Sequence, residues 1–277
     1  MSSKPQGRVL VIAGSDSGGG AGIQADIKTI TALGGYAATA ITAVTVQNTL
    51  GVTGVHPIPL DVIAAQARAV LDDIGADALK TGMLGDAGVV ETVAAAIDHA
   101  QTTRAGGVPA VVDPVMVAKG GAPLLAQAAI GAVKRLMIPR AALLTPNAPE
   151  AAALTGLTVE TTDDLRRAGE ALLAMGARAV LMKGGHVALS ERGGERVVDV
   201  LMTPGGETTF EGERIETRHT HGTGCTLASA CAAGLAQGLS LEAAVARAWN
   251  YVHEAMLRAP GFGAGHGPLD HGWTLRG

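Results

Sequence analysis

Two cysteines in 277 residues, Cys225 and Cys231, exclude a disulfide framework. At their spacing on a helix they would point in different directions. Aromatic residues make up only 2% of the chain and the net charge is -4. A nucleic-acid surface needs basic stripes and often stacking rings, and neither is visible, so no nucleic-acid partner is expected. No apolar run approaches the length of a membrane span. The first one, Val9 to Ala13, is too short for a signal-peptide core and reads as a strand. The expected compartment is a reducing cytoplasm, with no membrane partner. No Gly-Lys pair occurs, which excludes the common P-loop. Protein-kinase signatures are missing as well. His219, His221 and Cys225 lack a standard zinc spacing.

Glycine, by contrast, is abundant, at 39 of 277 residues, about twice its usual share, so many tight loops are expected. With 47% hydrophobic and 17% charged residues the chain is globular. No composition break marks a boundary and no repeat is found, so residues 1–277 are expected to form a single domain.

Taken in order, Arg8 to Gly14 suits a strand buried on both faces. The Gly-rich turn Ser15 to Gly22 leads into a helix to about Leu33, with Ile23, Ile27 and Ile30 as its apolar stripe. Asp26 lies on that side. A carboxylate there either meets a polar partner or sits solvated at the stripe's edge. Tyr36 to Val46 reads as a strand ending at Gln47. Leu60 to Leu71 is helical in period. Ala78 to Gly82 is a short strand with Met83 beyond it, and Asp86 caps a helix to about Asp98. Pro109 to Val112 is a strand ending in Asp113-Pro114, and a helix follows Pro123. Ala142 to Leu144 is a strand leading to Thr145-Pro146-Asn147, and Glu150 opens an Ala-rich helix. Thr162 caps a helix to Met175, and Arg178 to Lys183 is a strand ending at Gly184-Gly185-His186. Arg196 to Leu201 and Thr208 to Ile215 alternate like antiparallel strands, and a last helix runs from Ser240 to about Leu257.

Strands alternating with helices predict an α/β fold: a mostly parallel sheet with helices on both faces. Ligands then bind beyond the carboxyl ends of the strands. Asp16, Gln47, Lys80, Asp113, Asn147, Glu150 and Lys183 all fall there.

The stretch His221-Gly222-Thr223-Gly224-Cys225-Thr226 opens another apolar-periodic run, so it reads as a loop turning into a helix. Free backbone N–H groups and the helix dipole would favour an anion there. A first-turn thiolate would also be favoured. The bland alternative is a turn capped by Thr223 with an inert Cys225. An anion hole, a thiol, two carboxylates (Asp113, Glu150) and two lysines (Lys80, Lys183) suit phosphoryl transfer with Mg²⁺. Asp113 could equally be a turn initiator before Pro114, and Glu150 plain helix-start charge. Gly20-Ala21-Gly22-Ile23-Gln24-Ala25 fits a loose dinucleotide fingerprint, but the next strand ends in Gln47 rather than an acid, which makes a dehydrogenase a poor second.

These motifs together resemble the bacterial hydroxymethylpyrimidine/phosphomethylpyrimidine kinases of the ribokinase-like superfamily. The resemblance covers nearly the whole chain. It rests on Ala13 to Asp26, Gln47-Asn48-Thr49, Lys80-Thr81-Gly82-Met83-Leu84, Asp113-Pro114-Val115-Met116, Thr145-Pro146-Asn147, Leu181 to His186 and His221 to Thr226. Many superfamily members carry an aspartate after Gly-Thr-Gly. Here, as in the pyrimidine kinases, it is a cysteine. The Lys80-Thr81-Gly82 step departs slightly from the more usual Lys-Ile-Gly.

The resemblance implies a three-layer α/β/α sandwich and phosphorylation, by ATP, of an aminopyrimidine alcohol and then of its monophosphate. Gly14, Asp26, Gln47 and Met83 would hold the aminopyrimidine. Asp113 and Glu150 would handle Mg²⁺. Asn147, Lys183 and Thr223 would meet ATP, and Gly222, Thr223, Gly224 and Cys225 would form the catalytic anion hole. A homodimer is also implied. The alternatives are a pyridoxal-type vitamin kinase of the same fold and a non-catalytic nucleotide-binding regulator. Lid loops are expected near Lys119-Gly120-Gly121 and Arg192-Gly193-Gly194.

Overall fold

The computed structural model describes residues 6–117, 121, 124–185 and 196–276. Lys119, Gly120, Pro123, His186 and Arg192 to Gly194, which carry parts of the lid and motif expectations, lie outside them.

Among the described residues, strand β1 (Arg8–Asp16) is the third strand of a nine-stranded sheet ordered β3-β2-β1-β4-β5-β6-β7-β8-β9. Its parallel neighbours are β2 (Tyr36–Asn48) and β4 (Ala78–Thr81), and β5 (Ala110–Val112), β6 (Leu143–Leu144) and β7 (Val180–Met182) continue in parallel. β3 (Gly51–Pro57) closes one edge antiparallel to β2. β8 (Arg196–Thr203) and β9 (Gly206–Glu213) close the other as an antiparallel hairpin.

Period-two alternation sorts β1 between two cores. Leu10 and Ile12 face a layer made by α2 (Leu60–Ala69), α3 (Ala87–Thr102), α5 (Ala148–Thr155) and α6 (Thr162–Ala174). Val9, Val11 and Ala13 face α1 (Gly22–Ala32), α7 (Thr223–Ala236) and α8 (Leu241–Leu257). The expected three-layer α/β/α arrangement with a mostly parallel sheet is therefore present.

Local chemistry explains most boundaries. Asp86 caps α3 by accepting from Val89 N at 3.0 Å. The cap of α6 is Thr161, not Thr162. Its hydroxyl accepts from Asp164 N, and the Asp164 carboxylate accepts from Thr161 N at 3.0 Å, a reciprocal capping box. Two elements differ from expectation. Strand β3 has no clear signal in the sequence, because an edge strand with most residues exposed carries a weak alternation. The helix expected after Pro123 is a chain of short turns between Gln127 and Arg140, with α4 (Ile130–Ala132) inside it. Gly131 weakens the helix there and Pro139 has no N–H to donate.

Candidate active site

The carboxyl ends of β1, β2, β4 and β5 open into a cavity of about 710 Å³, bounded on its far side by the start of α7. Gly14, Gln47, Met83, Asp113, Glu150 and Cys225 line it. A second cavity, of about 410 Å³, runs between β8, β9 and α8, with Asp199, Trp249 and His253 on its walls. Asn147, Lys183, Thr223 and Gly224 border both. The loop into α7 thus stands at the junction of two ligand-sized spaces.

Gly222 is the N-cap of α7, in a left-handed conformation with φ 85°. A Cβ on it would lie 1.8 Å from Gly20 O, so no other residue fits against the Gly-rich loop after β1. Among the described residues no side chain caps α7: Thr223 is its first helical residue and its hydroxyl donates instead to Thr220 O at 3.3 Å. The capped-turn reading of Thr223 is therefore corrected, and the helix start is left open to a ligand.

Cys225, two residues on, is half-buried at this opening. Burial pushes its thiol up to about 11, with the Lys80 ammonium working the other way. The expectation that a first-turn position favours the thiolate is corrected: desolvation, with Asp26 and Asp113 adding to it, outweighs Lys80 and the Gly22 backbone N–H.

Asp113 follows β5, and Lys183 follows β7. Lys183 Nζ lies 3.1 Å from Asp113 Oδ1 and 3.9 Å from Glu150 Oε2. Burial opposes the Lys183 charge, but the two carboxylates outweigh it and raise its pKa. Thr145 Oγ1 donates to Asp113 Oδ1 at 3.2 Å, so both contacts fall on one oxygen and Oδ2 stands outside them. Asn147 and Glu150 form the capping box of α5. Asn147 Oδ1 accepts from Glu150 N at 2.9 Å, and Glu150 Oε2 accepts from Asn147 N at 2.8 Å. The helix-start role expected of Glu150 is thus real, and it leaves Oε1 outside the box. Burial, with Asp113 adding and Lys183 opposing, pushes the Glu150 carboxyl up to about 7.

In the larger cavity Gly14 allows the close approach of Met83: a Cβ there would meet Met83 Cε at 2.5 Å. Gln47 reaches in from the end of β2.

Asp26 is not on this cavity, which corrects its expected contact with the aminopyrimidine. It is fully buried, with Lys80 Nζ at 2.8 and 3.0 Å from its two oxygens and the Ser229 hydroxyl donating to Oδ1 at 2.6 Å. The polar partner that its stripe position demanded is supplied by the protein. Lys80 also lies inside rather than at a strand end. Its side chain points between α1 and α7 because Leu79 takes the opposite face.

Sequence reasoning does not single out Asp199, Trp249 or the pairing of Asp16 with His221. For Asp199 a signal is present, since it is the only charge in the run Val197–Met202. It accepts from Gly184 N at 2.8 Å, and burial pushes its carboxyl up to about 6.

Comparison with known proteins places this geometry. A family model described as phosphomethylpyrimidine kinase matches residues 16–270. A hydroxymethylpyrimidine/phosphomethylpyrimidine kinase of Streptomyces coelicolor is 50% identical over 267 residues, which is 96% of this chain and 95% of that one. That of Bacillus subtilis is 47% identical over 264 residues, 95% of this chain and 94% of its own. Among solved structures, an ADP complex of Bacillus subtilis pyridoxal kinase superposes with a TM-score of 0.87 at 36% identity, covering 98% of this chain and 99% of that one. A phosphomethylpyrimidine kinase from Clostridium difficile superposes with a TM-score of 0.77 at 38% identity, covering 90% and 98%.

Proposed function

The chain belongs to the phosphomethylpyrimidine kinase family, and from that premise we propose that this kinase acts, as one domain over residues 1–277, on 4-amino-5-hydroxymethyl-2-methylpyrimidine. It transfers a phosphoryl group from ATP to the hydroxymethyl group, then another to the monophosphate, toward thiamine diphosphate. The observation that carries this reading is the open helix start of Gly222–Cys225 between two cavities. The wall of Gly14, Gln47 and Met83 lies in one, and Asn147, Lys183 and Thr223 join it to the other at this helix start.

In this reading Gly14, Gln47 and Met83 hold the pyrimidine, and Asp26 supports the wall from behind through Lys80. Asn147, Lys183 and Thr223 take the ATP phosphates. The backbone N–H groups of Gly222, Gly224 and Cys225 neutralise charge growing on the transferred group, joined by that of Thr223 once a ligand draws it from its long 3.4 Å bond to Thr220 O. Asp113 and Glu150 fit Mg²⁺, because both carboxylates line the larger cavity, Asp113 with Oδ2 outside its bonds to Thr145 and Lys183, and Mg²⁺ takes one or two carboxylates plus phosphates and water. Bound there, the ion supplies positive charge to the phosphates.

Cys225 positions the acceptor hydroxyl; a thiol pushed up to about 11 is protonated at neutral pH, so it takes the hydroxyl proton late and only as it passes its own on to an oxygen of the transferred phosphoryl group. Replacing Cys225 with serine should lower turnover at saturating substrate by about 10²-fold. Unchanged turnover would sink any proton role. C225D tests whether the aspartate common in the superfamily substitutes.

Pyridoxal phosphorylation is the second reading, favoured by the TM-score of 0.87 to a pyridoxal kinase. ADP release measured with hydroxymethylpyrimidine, its monophosphate, pyridoxal and ribose side by side separates the readings. Release with the first two is expected. Release with pyridoxal alone would overturn the substrate assignment, and no release with any would favour a non-catalytic regulator. A cytoplasmic homodimer accords with this function, and Val44 and Val46 stand exposed on β2 where a second copy could cover them.

A further inference from the structure

Asp16, at the end of β1, collects four donors. Its Oδ1 accepts from Gly18 N at 2.8 Å. Its Oδ2 accepts from Gly20 N at 3.0 Å, Ala21 N at 2.8 Å and His221 Nε2 at 2.8 Å. His221 is itself buried, with its ring against Gly20, where an added Cβ would meet Cδ2 at 2.6 Å. An ionised carboxylate only accepts, so His221 Nε2 must carry a proton in either charge state of the ring.

The same Nε2 lies 3.3 Å from one terminal atom of the Gln47 amide, assigned as Nε2. The other terminal atom lies 3.3 Å from Thr45 Oγ1. The Thr45 hydroxyl has one proton and sends it to Ser15 O at 2.8 Å. With that assignment two N–H donors face each other and two oxygens share no proton. Turning the amide over resolves both conflicts, and hydrogen-bond partners are what distinguish amide oxygen from nitrogen. Gln47 Oε1 then faces the one His221 Nε2–H, taking the longer arm (3.3 Å) of a three-centre bond whose shorter arm (2.8 Å) goes to Asp16, and its NH₂ donates to Thr45. One Oε1 lone pair and one N–H are left for a ligand.

We propose that His221, held by Asp16, is a positioning residue that fixes the Gln47 amide in one orientation and thereby makes the site read a 4-amino rather than a 4-oxo pyrimidine. This rests on the aminopyrimidine reading above. The free Oε1 lone pair accepts from the exocyclic amino group, and the free N–H donates to the adjacent ring nitrogen. A 4-oxo ring presents an acceptor and a ring N–H at the same two places, so both contacts become repulsive.

The test compares 4-amino-5-hydroxymethyl-2-methylpyrimidine with its 4-oxo counterpart in wild type, H221F and H221Q. Glutamine restores an N–H near the position of the imidazole Nε2. Wild type should prefer the amino ring by about 10²-fold or more in kcat/KM, as expected where a built hydrogen-bond pattern is reversed. H221F should raise KM for the amino ring about tenfold, with kcat within about threefold, and should cut the amino-to-oxo preference about tenfold. H221Q should recover most of that preference, which a merely structural role would not predict. A preference unchanged in folded H221F, or absent from wild type active on the amino ring, overturns the inference. Wild type inactive on the amino ring instead overturns the parent reading. Should H221F not fold, ¹⁵N spectra of His221 in wild type decide the matter: a protonated Nε2 is expected, and an unprotonated Nε2 overturns the inference.

Discussion

Lys80→Met should lower the stability of the folded chain by about 3–5 kcal/mol, as breaking one side of a buried ion pair does. Lys80 and Asp26 are both 0% exposed, and the ammonium bonds both carboxylate oxygens. The pair sits where β4, α1 and α7 meet, with the Ser229 hydroxyl of α7 on Asp26. Methionine keeps much of the lysine stem's volume, so the loss reports the stranded Asp26 charge and not a cavity. Burial already pushes the Asp26 carboxyl pKa upward, with Lys80 and Ser229 holding it down. Without Lys80 the chain must either bury a charge or bind a proton. The double variant K80M/D26L should regain most of the stability, because an apolar pair avoids desolvating two ions. Urea unfolding at neutral pH measures both. A single variant within about 1 kcal/mol of wild type would show that the stranded charge costs little. The wall of the larger cavity depends on the same pair. A Cβ on Gly82, which lines the cavity, would meet Lys80 Nζ at 3.2 Å.

Gly222→Ala should reduce kcat/KM by at least about 10²-fold, the scale of losing an oxyanion-type donor. Two independent effects act at this residue. Its φ of 85° is strained for any residue with a Cβ, at about 1–3 kcal/mol. The added methyl would also lie 1.8 Å from Gly20 O, a backbone atom. The loop must retreat, and the N–H groups at the start of α7 move with it. Gly238→Ala is the control. Its φ is 82°, but nothing lies within 4 Å of its added Cβ. It should share the strain penalty in thermal melting and keep wild-type turnover. Equal turnover in both variants would show that loop placement, as opposed to strain, does not matter to catalysis.

The elements legible from residues alone are those with a strong local code. Val9 to Ala13 announce a strand buried on both faces. Asp86 and Ser240 announce helix starts, and both do cap. The edge strand β3 and the broken helical turns between Gln127 and Arg140 are not legible. Their conformations depend on one-sided exposure and on how a Gly-Pro-interrupted stretch settles against α3. At the site, the motif residues around Asp113, Asn147, Glu150, Lys183 and Gly222 do converge. The partner of each one could not be read from spacing, because these contacts join residues far apart in the chain.

The sequence by itself determined the layered α/β plan, the polar strand ends that gather around one opening, and the Gly-rich start of α7, since these follow from periodicity, caps and backbone freedom. Only the tertiary structure decided the direction of Asp26 and the ionisation of Cys225. The first turned on which face of β4 holds Lys80. The second turned on how deeply α7 buries its first turn, because desolvation is a property of the packed surroundings and no residue carries it alone.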